Sequence, residues 1–142
     1  MEQNGGFAAL LRALGYELYT IGARVFFGPH KEHVGGFNHM AIIVIIEDIE
    51  YLVDVGFGGF GLTAPLPIYN GKVIENAIDG VTPEQHRVHF AEISAASRKG
   101  YKSWMLQSRR NPEYEWETLY AFEKDLEFFG ADYQMYVSLH CI

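Results

Sequence analysis

The sequence predicts an α+β domain in which a short N-terminal helix packs on a β-barrel or strongly twisted antiparallel sheet. Apolar residues recur at helical spacing near the N-terminus, at Phe7, Leu10, Leu11 and Leu14, and a single face of that kind makes one amphipathic helix. From Tyr16 to Phe122 the chain is instead a series of short β-forming runs separated by Gly, Pro and polar turns, the pattern of a barrel or twisted sheet. Its 142 residues, 49% hydrophobic and 15% aromatic, suffice for one packed core.

The elements follow in order. The helix over Phe7 to Leu14 takes Asn4 as its N-cap and Gly15 as its C-cap. Tyr16 to Phe27 carries the β-formers Leu18, Thr20, Ile21, Val25, Phe26 and Phe27, and Gly28-Pro29 ends it. The apolar run from His39 to Ile46 and the run from Tyr51 to Val55 make two buried strands, joined by a four-residue turn at Glu47-Asp48-Ile49-Glu50. Pro65 and Pro67 hold Thr63 to Ile68 extended. Strands are expected at Arg87 to Ile93, Lys102 to Gln107 and Thr118 to Phe122, and a helix over Lys124 to Tyr136. No repeat, low-complexity tract or linker divides the chain, so it reads as one domain or a piece of one.

Composition removes several functional classes. Net charge is −7 and no basic run exceeds Arg109-Arg110, so a nucleic acid partner is not expected. The longest apolar run, Met40 to Ile46, is far short of the roughly 18 residues that span a bilayer, and a soluble, cytoplasmic protein is the expectation. Cys141 is the single cysteine; it excludes an internal disulfide and, next to the last residue, reads as a bystander. His30 with His33, and His86 with His89, lack Cys, Asp or Glu at ligand spacing. They read as surface histidines, and no metal is expected.

His39 and Asp54 carry the chemistry. A carboxylate in an apolar strand is costly to bury unless something donates to it, and an imidazole N–H is a natural donor. Such a pair is two-thirds of a nucleophilic triad, in which the acid orients the imidazole and the imidazole deprotonates a thiol or hydroxyl. An even-numbered hairpin loop puts His39 and Asp54 on one side of the sheet. The four-residue turn, however, sets Asp54 across from Ile43, roughly 13 Å along the strand from His39, a gap that a bulge or strong twist must close. The tract Gly56-Phe57-Gly58-Gly59-Phe60-Gly61 fits the dinucleotide fingerprint in spacing, but Pro65 and Pro67 exclude the helix that must follow. It reads as a loop whose backbone approaches a ligand, or as a plain barrel corner.

Gly36-Phe37-Asn38-His39-Met40, then Tyr51-Leu52-Val53-Asp54-Val55-Gly56-Phe57-Gly58 and Pro65-Leu66-Pro67-Ile68, resembles the arylamine N-acetyltransferases. Glu2-Gln3-Asn4, Phe7, Leu10-Leu11, Leu14-Gly15-Tyr16 and Ala23-Arg24-Val25 extend the resemblance upstream, and Trp116 to Phe122 with Asp132 to Ser138 extend it downstream. It implies a cysteine-protease-like Cys-His-Asp core, with His39 and Asp54 as two members. It further implies that Phe37, Phe57, Gly58 and Gly59 contact substrate or CoA. The implied reaction is ping-pong acyl transfer from acetyl-CoA, or another acyl-CoA such as malonyl-CoA, through a Cys to an arylamine or arylhydrazine, with no permanently bound cofactor. By the same resemblance residues 1–15 end a helical subdomain, 16–122 form the barrel and 123–142 begin an α/β lid. The family's Cys would fall one position before Met1, so a fragment, or an inactive truncated relative that binds CoA or an aromatic ligand, is expected. A thiol hydrolase is a weaker alternative.

Overall fold

The structure, a computed structural model, describes residues 2–26, 36–71, 73–76, 84–93 and 100–127. Helix α1 spans Glu2–Ala13, starting ahead of the expected Phe7. Gly5 and Gly6 are poor helix formers, but the turn that holds them is fixed by burial: Asn4 and Ala8 are both sealed from solvent. Asn4 therefore lies inside the helix and does not cap it. The C-terminal end is as expected, with Gly15 at φ +89°, and Gly15 and Tyr16 donating their N–H groups to Arg12 O and Leu11 O; a left-handed residue at this point closes a helix and Gly accepts it without strain.

Eight strands follow: β1 (Glu17–Val25), β2 (His39–Ile46), β3 (Ile49–Val53), β4 (Leu66–Pro67), β5 (Val73–Asn76), β6 (Glu84–Glu92), β7 (Lys102–Arg109) and β8 (Glu117–Glu127). They form one sheet in the order β4-β3-β2-β1-β8-β7-β6-β5, and every pairing in it is antiparallel. The sheet curls so that the segment after β4 meets β6: Gly71 N–H donates to Val88 O at 2.8 Å and Phe90 N–H to Asn70 Oδ1 at 2.8 Å. The predicted α+β class and barrel-like sheet are the observed ones.

Alternation sorts the side chains. Ile21, Ala23, Ala41, Ile43, Leu52, Leu66, Val88, Leu106, Tyr120 and Phe122 form the inner core. The opposite face of β2 places Ile42 and Val44 against Ala8, Phe7 and Leu11 of α1. Near-continuous burial of β2 thus comes from being covered on both faces, the environment an unbroken apolar run demands.

Three expectations change. The β2–β3 turn is the two-residue Glu47-Asp48, both at positive φ (51° and 61°), with Ile46 paired to Ile49. Acidic residues at such positions lack the Asn-Gly signature that marks a two-residue hairpin. Second, Lys124 to Glu127 continue β8 rather than begin a helix, so the barrel runs past 122; the rest of the expected helix and lid, with Asp132 to Ser138 and Cys141, lies outside the described residues. Third, His86 and His89 are not surface turn residues but neighbours in β6. His86 is fully buried on the inner side and its Nε2 pairs with Phe60 O at 2.8 Å. The pair His30 and His33 lies outside the described residues.

Candidate active site

His39 opens β2 and is 7% exposed, and Asp54, one residue beyond β3, is 4% exposed. Their side chains meet directly: His39 Nε2 lies 2.7 Å from Asp54 Oδ2. With Ile42 opposite Val53, the register puts Asp54 level with Ala41, about 7 Å along the strand from His39 by the ordinary rise. Two side chains leaning toward each other span that distance. The short turn, not a bulge in either strand, closes the gap that a four-residue turn leaves.

The carboxylate is held on both oxygens. Asp54 Oδ1 accepts from Asn4 Nδ2 at 2.8 Å, Gly56 N at 3.0 Å and Phe57 N at 3.1 Å. Burial works to raise the Asp54 pKa, but hydrogen bonding and charge from His39, with donation from Asn4 and Gly56, outweigh it and hold the carboxyl below its usual range. Asp54 is therefore an anion that accepts from His39 Nε2–H, and the other ring nitrogen, Nδ1, has no hydrogen-bond partner among the described residues.

Aromatic rings pack around this pair. The His39 ring centroid is 5.4 Å from that of Phe57, edge-on at 81°, and 5.4 Å from that of Tyr120. Tyr120 is fully buried and its hydroxyl has no hydrogen-bond partner at normal geometry. Burial, then the charge of Asp54 and the approach of the hydroxyl to that carboxylate, push its pKa well up.

The glycine tract is a tight loop. Gly58 and Gly59 have φ of +73° and +49°, Gly61 N–H closes the turn on Gly58 O at 2.8 Å, and a Cβ on Gly58 or Gly59 would meet nothing within 4 Å. Their absent side chains leave backbone open beside Phe57. Phe60, farther along, borders a cleft of about 470 Å³ that Arg110 and Tyr114 also line. Of the expected contact residues, Phe57 is thus beside the pair, and Gly58 and Gly59 follow it in the loop. Phe37 turns elsewhere, with the Arg24 guanidinium 4.4 Å from its ring centroid. Asn4 and Tyr120 adjoin the pair, and sequence reasoning missed both. Among the described residues no three His, Cys, Asp or Glu side chains converge as metal ligands.

A sequence model described as N-acetyltransferase matches residues 1–136. The chain belongs to the arylamine N-acetyltransferase family. It is 31% identical to an N-malonyltransferase of Gibberella moniliformis, over 95% of this chain and 42% of that protein. It is also 30% identical to an arylamine N-acetyltransferase / N-hydroxyarylamine O-acetyltransferase of Salmonella typhimurium, over 86% of this chain and 37% of that protein. Among solved structures, the arylamine N-acetyltransferase of Salmonella typhimurium superposes with a TM-score of 0.72 at 28% identity, covering 96% of this chain and 44% of that one. The Mycobacterium marinum arylamine N-acetyltransferase in complex with CoA gives 0.71 at 29%, covering 94% and 44%. The chain thus spans about two-fifths of the length of these relatives. The family is one of acyltransferases, and no helix among the described residues is long and apolar enough to cross a membrane.

Proposed function

We propose that this chain supplies the His and Asp of a Cys-His-Asp acyltransferase centre: an acyl group passes from acyl-CoA to a cysteine thiolate, and from there to the amine of an arylamine or arylhydrazine. The observation that carries the reading is the buried 2.7 Å contact between His39 Nε2 and Asp54 Oδ2. A thiol of pKa about 8.5 is mostly protonated at neutral pH, and a neighbouring imidazole removes its proton and stabilises the thiolate as an ion pair. In this reading Nδ1 of His39 faces the sulfur and Asp54 fixes the tautomer. Thiolate attack on the thioester carbonyl forms the acyl-cysteine and expels CoA as its thiol. Amine attack then regenerates the thiolate, with His39 taking the amine proton.

Phe57, edge-on to the His39 ring, provides aromatic wall for an aryl acceptor, and the bare backbone of Gly58 and Gly59, next in the chain, admits the acyl group. In this reading the reactive cysteine precedes α1 in sequence, the position that the resemblance to the family assigns it. Malonyl-CoA is the second donor to consider, because relatives named N-malonyltransferase align over 95% of the chain. The test is to express the chain as given and with the in-frame residues encoded upstream, and to follow CoA release with acetyl- and malonyl-CoA and an arylamine. Transfer that appears with an upstream cysteine and disappears in His39→Ala supports the proposal. Transfer that survives His39→Ala, or peptide hydrolysis without acyl-CoA, overturns it.

A further inference from the structure

Among the described side chains of α1, Asn4 is the buried polar one, with 0% of its surface exposed. A buried amide is costly unless every group is paired, and here each is. Nδ2 donates to Met40 O at 2.7 Å and to Asp54 Oδ1 at 2.8 Å, while Oδ1 accepts from Val55 N–H at 2.9 Å. The amide can point only one way, since a flip would set its oxygen against two acceptors. Gly56 completes the fit: a Cβ there would lie 3.1 Å from Asn4 Nδ2 and 3.3 Å from its Cγ.

We infer that Asn4 is a positioning residue through which α1 fixes the rotation of the Asp54 carboxylate, and so holds His39 in its Nε2–H tautomer. Of the three donors to Asp54 Oδ1, Gly56 N and Phe57 N belong to the loop that Asp54 itself begins, so they turn with it. Asn4 donates from a separate element and simultaneously grips Met40, the neighbour of His39 in β2. It therefore sets the carboxylate relative to the strand that carries the imidazole. The groups facing Asp54 are His39 from β2, Tyr120 from β8, Asn4 from α1 and the Gly56 and Phe57 amides. The inference deepens the proposed function, because it rests on His39 and Asp54 being the catalytic pair.

The test needs no turnover. In the 142-residue chain with ¹⁵N-labelled histidine, NMR reads the His39 tautomer and the exchange rate of its Nε2 proton, at a pH where the ring is neutral. Asn4→Leu keeps roughly the size but removes the donor to Asp54 and the acceptor for Val55 without adding charge; Asn4→Ala removes the bulk as well. In either variant the Nδ1–H tautomer should appear and the Nε2 proton should exchange at least about tenfold faster, the effect of losing one charge-assisted hydrogen bond. Gly56→Ala, which displaces the amide without deleting it, should fall between these variants and the wild type. An Asn4 that merely pins the helix would lower the melting temperature and leave the His39 signals unchanged, and that result in any folded variant overturns the inference. Should neither Asn4 variant fold, Gly56→Ala decides alone. Expected tautomer shifts without acyl transfer by the longer protein would refute the proposed function only.

Discussion

At the residue scale, Asp54 sits at the crossing of two requirements, being both buried and charged. Because the fold depresses its pKa, the ionised form is the stabilising one; that contribution is complete above the unfolded value of 3.8 and is lost as pH falls through the lower folded value. Glu50 contributes with the same sign: burial opposes its ionisation, but hydrogen bonds from Lys124 and Tyr19 prevail and lower its pKa. Comparison with Asp54→Asn isolates the Asp54 share. Thermal midpoints taken from about pH 6 to about pH 2 should fall more steeply for the wild type than for Asp54→Asn. The same substitution leaves the fold intact but offers His39 an amide in place of a carboxylate, so kcat/KM for acyl transfer in the longer protein should drop about 10²- to 10⁴-fold. Tyr120 makes a complementary case, since its buried hydroxyl faces Asp54 without a hydrogen bond of normal geometry, a cost that phenylalanine avoids. Chemical denaturation of Tyr120→Phe should show stability retained or raised by up to about 1 kcal/mol; a loss of that size would instead mean that the hydroxyl stabilises Asp54.

At the element scale, the β2–β3 hairpin sets the register that brings His39 and Asp54 together, yet its turn is the least favourable part of it. Glu47 and Asp48 adopt φ of 51° and 61°, where side chains with a Cβ are strained and Asn-Gly is preferred. Asp48→Gly should therefore stabilise the chain by roughly 1 kcal/mol, read as a higher denaturation midpoint at an unchanged slope. The same strain explains what the sequence could and could not disclose. Apolar runs made β2 and β3 plain, and β-forming residues marked β1, β6, β7 and most of β8. Glu47 and Asp48 do not advertise a left-handed turn, so the sequence alone points to a longer one. Lys124 to Glu127 looked helical because β8 alternates poorly there, and Lys124 is held instead by an ion pair to Glu50. For the site, His39, Asp54 and Phe57 were legible from spacing and resemblance. Asn4 was not, since an Asn near a helix start is ordinarily a cap, and only the fold reveals that it points inward.

At the scale of the whole molecule, the candidate site depends on a seam between distant parts of the chain. β1 pairs with β2 on one side and with β8 on the other, so that Ala23 meets both His39 and Phe122. Tyr120, which closes the ring cluster over His39, arrives only with β8. The β2–β3 hairpin forms from near neighbours, whereas the β1–β8 seam needs closure across most of the sequence, a cost paid before its contacts return anything. Seam contacts should therefore be largely absent from the folding transition state. Phe122 is buried in the inner core, and Phe122→Leu should cost about 1–2 kcal/mol by removing part of that packing. Stopped-flow measurements should find this expressed as unfolding about tenfold faster, with the refolding rate changed by less than about twofold. A matching loss in the refolding rate would place the seam in the nucleus instead, and would mean that the aromatic wall around His39 assembles before the hairpin that carries it is complete.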